Sequence, residues 1–149
     1  GHLFVGGCVG ERFGVRNSGA IAVVEGLGDH ACEYMTGGLI VSLGGSGSNF
    51  GAGMSGGLAF VYDEDDHFEN NYNPEMVGIE RLSDSGEVDA LKKIVEAHAT
   101  ATLSPHAASL LENWERTVSK FWKVVPHPSS PDIPKNVLKL ESLNIAVQT

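Results

Sequence analysis

The sequence predicts a mainly β chain: a parallel β-helix with about 18–19 residues per turn, followed by a C-terminal two-helix hairpin. Three observations carry this. Gly1, Gly19, Gly37 and Gly56 recur at spacings of 18, 18 and 19 residues. Two positions after each stands a large aliphatic (Leu3, Ile21, Leu39, Leu58), and four after stands Val5, Val23, Val41 or Phe60. A hydroxyl precedes the last three glycines, at Ser18, Thr36 and Ser55. A fixed short period is the signature of stacked repeats.

Each repeat holds one β-branched run bounded by glycine, such as Leu39-Ile40-Val41-Ser42-Leu43, which reads as a strand. Eighteen extended residues span roughly 60 Å, so stacking at about 4.8 Å forces the chain to travel round and return. Leu3/Ile21/Leu39/Leu58 and Val5/Val23/Val41/Phe60 are then two interior ladders, with glycines at the corners. Ala22, Ile40 and Ala59 point outward. The chain opens inside the repeat at Gly1, so an uncapped first turn is expected to continue from a longer chain or dock on a partner.

The acidic run 63–67 closes the repeat, and residues 75–82 read as one more strand. Asp84-Ser85-Gly86-Glu87 starts a helix over about 86–101 with Val88, Leu91, Ile94, Val95 and His98 on one face. Ser104-Pro105 starts a second helix, near 105–122, with Leu111, Trp114, Val118 and Phe121 as its stripe. From Val124, four prolines (126, 128, 131, 134) argue against regular structure. The expected organisation is therefore a repeat region 1–82, a helical hairpin 83–125 and a proline-containing tail 126–149.

The 149 residues carry a net charge of −9, which argues against nucleic-acid partners. No apolar run is long enough to span a bilayer, and the start lacks a signal-peptide pattern. Cys8 and Cys32 fall at different repeat positions and read as reduced core thiols of a cytosolic or organellar protein.

Several patterns invite chemistry. Gly51-x-Gly53-x-x-Gly56 and Gly26-x-Gly28-x-x-Ala31 match the dinucleotide fingerprint in letters, but the fingerprint opens a helix, and here strands follow. Asp63, Asp65, Asp66 and His67 have oxygen-ligand spacing without the glycine and distal glutamate of a calcium loop; they read as a solvated acidic cap. His30 and Cys32 are a weak thiol–base pair. Glu11, Arg12, Arg16 and Asn17 form a charged cluster suited to inter-turn or interdomain bonds. Trp114, Phe121 and Trp122 read as core or interface anchors. No catalytic, cofactor-binding or metal-ligating residue is assigned.

The run from Gly10 to Gly38, GERFGVRNSGAIAVVEGLGDHACEYMTGG, strongly resembles the C-terminal glycine-motif domain of the glutamate synthase large subunit. NFGAGMSGG at 49–57, LLENW at 110–114 and FWKVVP at 121–126 continue the likeness, which covers residues 1–126. Beyond Pro126 the chain departs from the family's pattern of Asp-Tyr followed by basic residues. The same repeat type occurs more distantly in a formylmethanofuran dehydrogenase subunit, which gives the alternative of a free-standing subunit of a redox complex. The resemblance implies a right-handed β-helix that scaffolds its neighbours: an amidotransferase domain releasing ammonia from glutamine, and a barrel domain carrying FMN and an iron–sulfur cluster. It implies no cofactor in this chain, and a cytoplasmic or plastid location. A polysaccharide-cleaving β-helix ranks last, because the outward positions Ala22, Ile40 and Ala59 offer no acid or base.

Overall fold

The computed structural model describes residues 2–7, 10, 13–14, 18–48, 50–52, 54–64, 67–72, 77–82 and 84–126. Strands β1 (His2–Phe4), β2 (Ser18–Val24), β3 (Thr36–Ser42), β4 (Gly56–Tyr62), β5 (Val77–Arg81) and β6 (Phe121–Pro126) form one mixed sheet in the order β1-β2-β3-β4-β6-β5. The first four are parallel; β6 runs antiparallel to both β4 and β5. Helices α1 (Ser85–Thr102), α2 (Pro105–Glu112) and α3 (Trp114–Val118) complete the fold. Among the described residues no helix is long and apolar enough to cross a membrane.

A right-handed parallel β-helix is therefore not what the chain forms. The expected return strands are turns. His30, Cys32 and Tyr34 take φ of 62, 60 and 56°, a left-handed conformation at every second residue that a strand cannot hold. These turns still meet at one repeat's separation through single main-chain bonds, from His30 N–H to Ser48 O and from Tyr34 N–H to Ala52 O (both 2.9 Å).

Within the sheet, Ile21 faces Leu39 and Leu39 faces Leu58, while Val23, Val41 and Phe60 align beside them. Leu3 does not join: His2 lies opposite Ile21, Leu3 opposite Ala22 and Phe4 opposite Val23. One residue of slip exchanges the two faces of a strand. It leaves Leu3 48% exposed and packs Phe4 against the helices, tilted on His98 at 6.0 Å, with Val5 on the other side. The larger ring takes the interior place. Gly19, Gly37 and Gly56 sit inside the strand starts, not at corners. Three residues of β2 oppose two of β3, and three of β3 oppose two of β4. Gly38 and Gly57, each at φ 85°, lie at these irregular starts, where a side chain would be strained.

Both sheet faces are covered. One, with Ile21, Val23, Leu39, Val41, Leu58 and Phe60, packs on Leu91, Ile94, Val95, Ala107, Leu110 and Phe121. The other carries Ala22, Ile40 and Ala59, which are buried and not outward, under Cys32, Met35, Phe50, Met54 and Phe68 from the connecting segments. Continuously apolar strands suit a parallel sheet buried on two sides. Leu39 is fully buried, so Leu39→Ala should cost about 3 kcal/mol in a urea melt.

The helices begin where the caps dictate. Asp84 accepts from Gly86 N–H (2.8 Å) and Ser104 from Ala107 N–H (3.1 Å), with Pro105 in the first turn of α2. The second helix, expected to run to about 122, instead breaks at Asn113 (φ −130°, ψ 64°) and ends at Val118. Phe121 to Pro126 then enter the sheet, although the prolines argue against regular structure from Val124 onward. Pro126 terminates β6, where a missing N–H costs least. The rest of the tail, 127–149, lies outside the described residues, as do Cys8, Glu11, Arg12, Arg16 and Asn17.

Candidate functional site

Where β2 ends, Glu25 turns under the helical layer. Its carboxylate receives His98 Nε2 at 3.0 Å and the Ser104 hydroxyl, joining one strand end to α1 and to the first turn of α2. His98 is fully buried and the Glu25 side chain 15% exposed. Burial acts to raise the Glu25 carboxyl's pKa. The hydrogen bonds from Ser104 and His98, with the charges of His98 and His106, outweigh it and hold the group below its ordinary 4.5. An ionised carboxylate only accepts, so Nε2 of His98 carries a proton. Its Nδ1 is buried without a partner.

Serine, histidine and acid together suggest a nucleophile, but the wiring is wrong for one. A nucleophilic serine gives its proton to histidine, and the acid orients that histidine. Here Ser104 and His98 both donate to the acid, and Ser104 Oγ also accepts the α2 cap. The arrangement fastens helices to sheet. Nothing in the sequence pattern flags it, because the three residues are 73 and 79 positions apart along the chain.

Stability should depend on pH accordingly. A carboxyl held below its unfolded value stabilises fully above about 4.5, and that contribution is lost as pH falls through the lower folded value. Urea midpoints measured from pH 6 to pH 3 should fall less in Glu25→Gln than in the unmodified chain.

Asp63 is spoken for in the same way. Its carboxylate accepts His67 N–H (2.9 Å), Phe68 N–H (3.2 Å) and Trp122 Nε1–H (3.0 Å), capping the short turn at Phe68–Asn70. Asp65 and Asp66 lie outside the described residues. Among the described residues no group of three or more His, Cys, Asp or Glu side chains is placed to hold a metal.

His30 Nδ1 meets Glu33 at 2.7 Å, while Cys32 is fully buried and its thiol is pushed far up by burial. Among the described residues no hydrogen bond joins the two. Gly51 (φ 80°) and Gly56 lead into β4, and Gly26, Gly28 and Ala31 precede β3, so neither fingerprint opens a helix. Gly53 lies outside the described residues.

Phe121 is buried against Trp114 (6.2 Å) and Tyr62 (5.4 Å). Half-buried Trp122 lies between Asp63 and the Arg81 guanidinium, 3.6 Å from its ring. Lys123, with a side chain 8% exposed, pairs with Glu87 at 2.7 Å and Glu80 at 3.5 Å.

A mixed sheet whose parallel strands start at regularly spaced glycines defines a domain of the glycine-repeat class. The chain belongs to the GXGXG motif family, whose model matches residues 1–127. It is 53% identical over 133 residues to the ferredoxin-dependent glutamate synthase of Pyropia yezoensis, covering 89% of this chain and 9% of that protein. It is 48% identical over 141 residues to glutamate synthase (NADH) of Schizosaccharomyces pombe, covering 95% and 7%. Against the glutamate synthase (NADPH) large chain of Bacillus subtilis the identity is 51% over 127 residues, covering 85% and 8%. The chain thus spans less than a tenth of the length of these relatives.

Proposed function

We propose that this chain is a non-catalytic scaffold domain of a glutamate synthase, an enzyme of glutamate biosynthesis and nitrogen assimilation. The parent makes two glutamates from glutamine and 2-oxoglutarate, and the domain holds its amidotransferase and FMN-binding barrel domains in place, in the cytoplasm or a plastid. One observation carries the reading. Nearly the whole chain matches relatives named for ferredoxin, NADH and NADPH at 48–53% identity. A segment shared across three electron donors serves something common to all of them, and its Glu25, Ser104 and Asp63 side chains are engaged in internal bonds.

The chain's own residues do not fit the iron–sulfur cluster of the parent. Such a cluster takes about four thiolates. The sequence has two cysteines, and Cys32 is buried with its thiol held neutral. The cluster and the flavin belong to other domains. The test is direct: assay the isolated chain for glutaminase and glutamate synthase turnover and record its visible spectrum. We expect neither turnover nor a flavin or iron–sulfur band; either one would overturn the reading.

A further inference from the structure

We infer that the cleft between α2–α3 and the end of β4 binds a carboxylate. It is a cavity of about 370 Å³. His106, Ser109, Asn113, Arg116 and Lys120 recur at helical spacing along α2–α3 and line it, facing Tyr62 and Glu64. Leu110 and Thr117 form a buried floor, where the Thr117 hydroxyl donates to Leu110 O at 2.7 Å.

The two cations, Arg116 and Lys120, keep unspent donors, whereas the Ser109 hydroxyl already donates to His106 O at 2.8 Å. His106 donates to Leu43 O at 2.7 Å, if its Nε2 carries the proton as a carbonyl partner requires. Lys120 Nζ gives one bond, to the Glu64 carbonyl at 3.2 Å, and keeps two N–H groups. Among the described residues Arg116 has no side-chain partner. This contrasts with Arg81 on Trp122 and Lys123 on Glu87.

In a chain of net charge −9, two cations converging on one cavity depart from the prevailing sign. Glu64 lines the same cleft and is exposed, so its carboxylate is solvated and offsets part of that positive charge. Planar guanidinium beside ammonium and amide donors suits a carboxylate, accepted in bidentate fashion by Arg116. The carboxylate belongs either to a free dicarboxylic acid or to an acidic side chain of a protein. The inference is independent of the scaffold role.

The ¹⁵N-labelled 149-residue chain should be titrated at fixed ionic strength, once with succinate and once with a short polyglutamate peptide. The Ser109, Asn113 and Thr117 amides should shift and saturate. Saturation by succinate identifies a free dicarboxylate; saturation by the peptide alone identifies a protein side chain. Arg116→Gln should weaken binding roughly tenfold, whereas Lys92→Gln, exposed on α1, should leave it unchanged. Arg116 is itself exposed, so its variant should fold, and the amide spectrum verifies that directly. The inference is overturned if neither titrant saturates, or if the two variants lower affinity equally.

Discussion

Replacing Gly56 with alanine should destabilise the fold by about 4 kcal/mol, above the usual ~1–3 kcal/mol of overpacking. A methyl at Gly56 would stand 2.1 Å from the Thr36 carbonyl oxygen and 2.9 Å from its carbon. Both are main-chain atoms of the neighbouring strand, so no rotamer change relieves the clash and β3 must separate from β4. Gly44 is closed in the same way, 1.9 Å from Glu25 O, directly at the carboxylate joint. A Cβ at Gly19, the matching place in an earlier repeat, would meet no atom of the described residues within 4 Å. Gly19→Ala should therefore change stability by less than about 0.5 kcal/mol. Urea midpoints at equal m-values make the comparison. Equal midpoints for the Gly19 and Gly56 variants would show that strand separation is not what these glycines protect.

That contrast marks how far the sequence could be read. Glycine spacing and aliphatic phase placed β2, β3 and β4 side by side and aligned Ile21 with Leu39 and Leu58. Asp84 and Ser104-Pro105 located the starts of α1 and α2, because caps act within a few residues. Local signals failed where partners are remote. Phe4, not Leu3, takes the interior place, against the helix-side core and His98 of α1, which lie far along the chain. Phe121 fits a helical stripe as well as a strand, and the break at Asn113 decides between them. A short apolar run does not reveal its own period. The closed β-helix failed on the connecting turns, whose left-handed His30, Cys32 and Tyr34 carry no glycine to announce them. The carboxylate joint was invisible because each of its members has an ordinary local reading: Glu25 a turn acid, His98 the edge of a stripe, Ser104 a cap.

The joint yields the second large effect. Glu25→Ala should cost about 3 kcal/mol, the lower end of the ~3–5 kcal/mol for removing one partner of a buried pair, because the Glu25 side chain is itself part-exposed. His98 already has Nδ1 without a partner, so losing the carboxylate orphans both ring nitrogens in a site with no solvent exposure. The Ser104 hydroxyl loses its acceptor at the same moment. His98→Phe should be milder, about 1–2 kcal/mol, because the ring stays packed near Phe4 while Glu25 keeps Ser104 and some contact with water. If desolvation dominates, Glu25→Leu combined with His98→Phe should recover most of the loss and end within about 1 kcal/mol of the unmodified chain. Double-mutant urea melts at pH 7 measure this coupling. Repeating them near pH 3 should shrink the Glu25→Ala deficit, since the unmodified carboxylate loses its advantage there too. A double variant as unstable as the two single losses added together would mean that the groups act separately, and that the strand end and the helices are held by apolar packing alone.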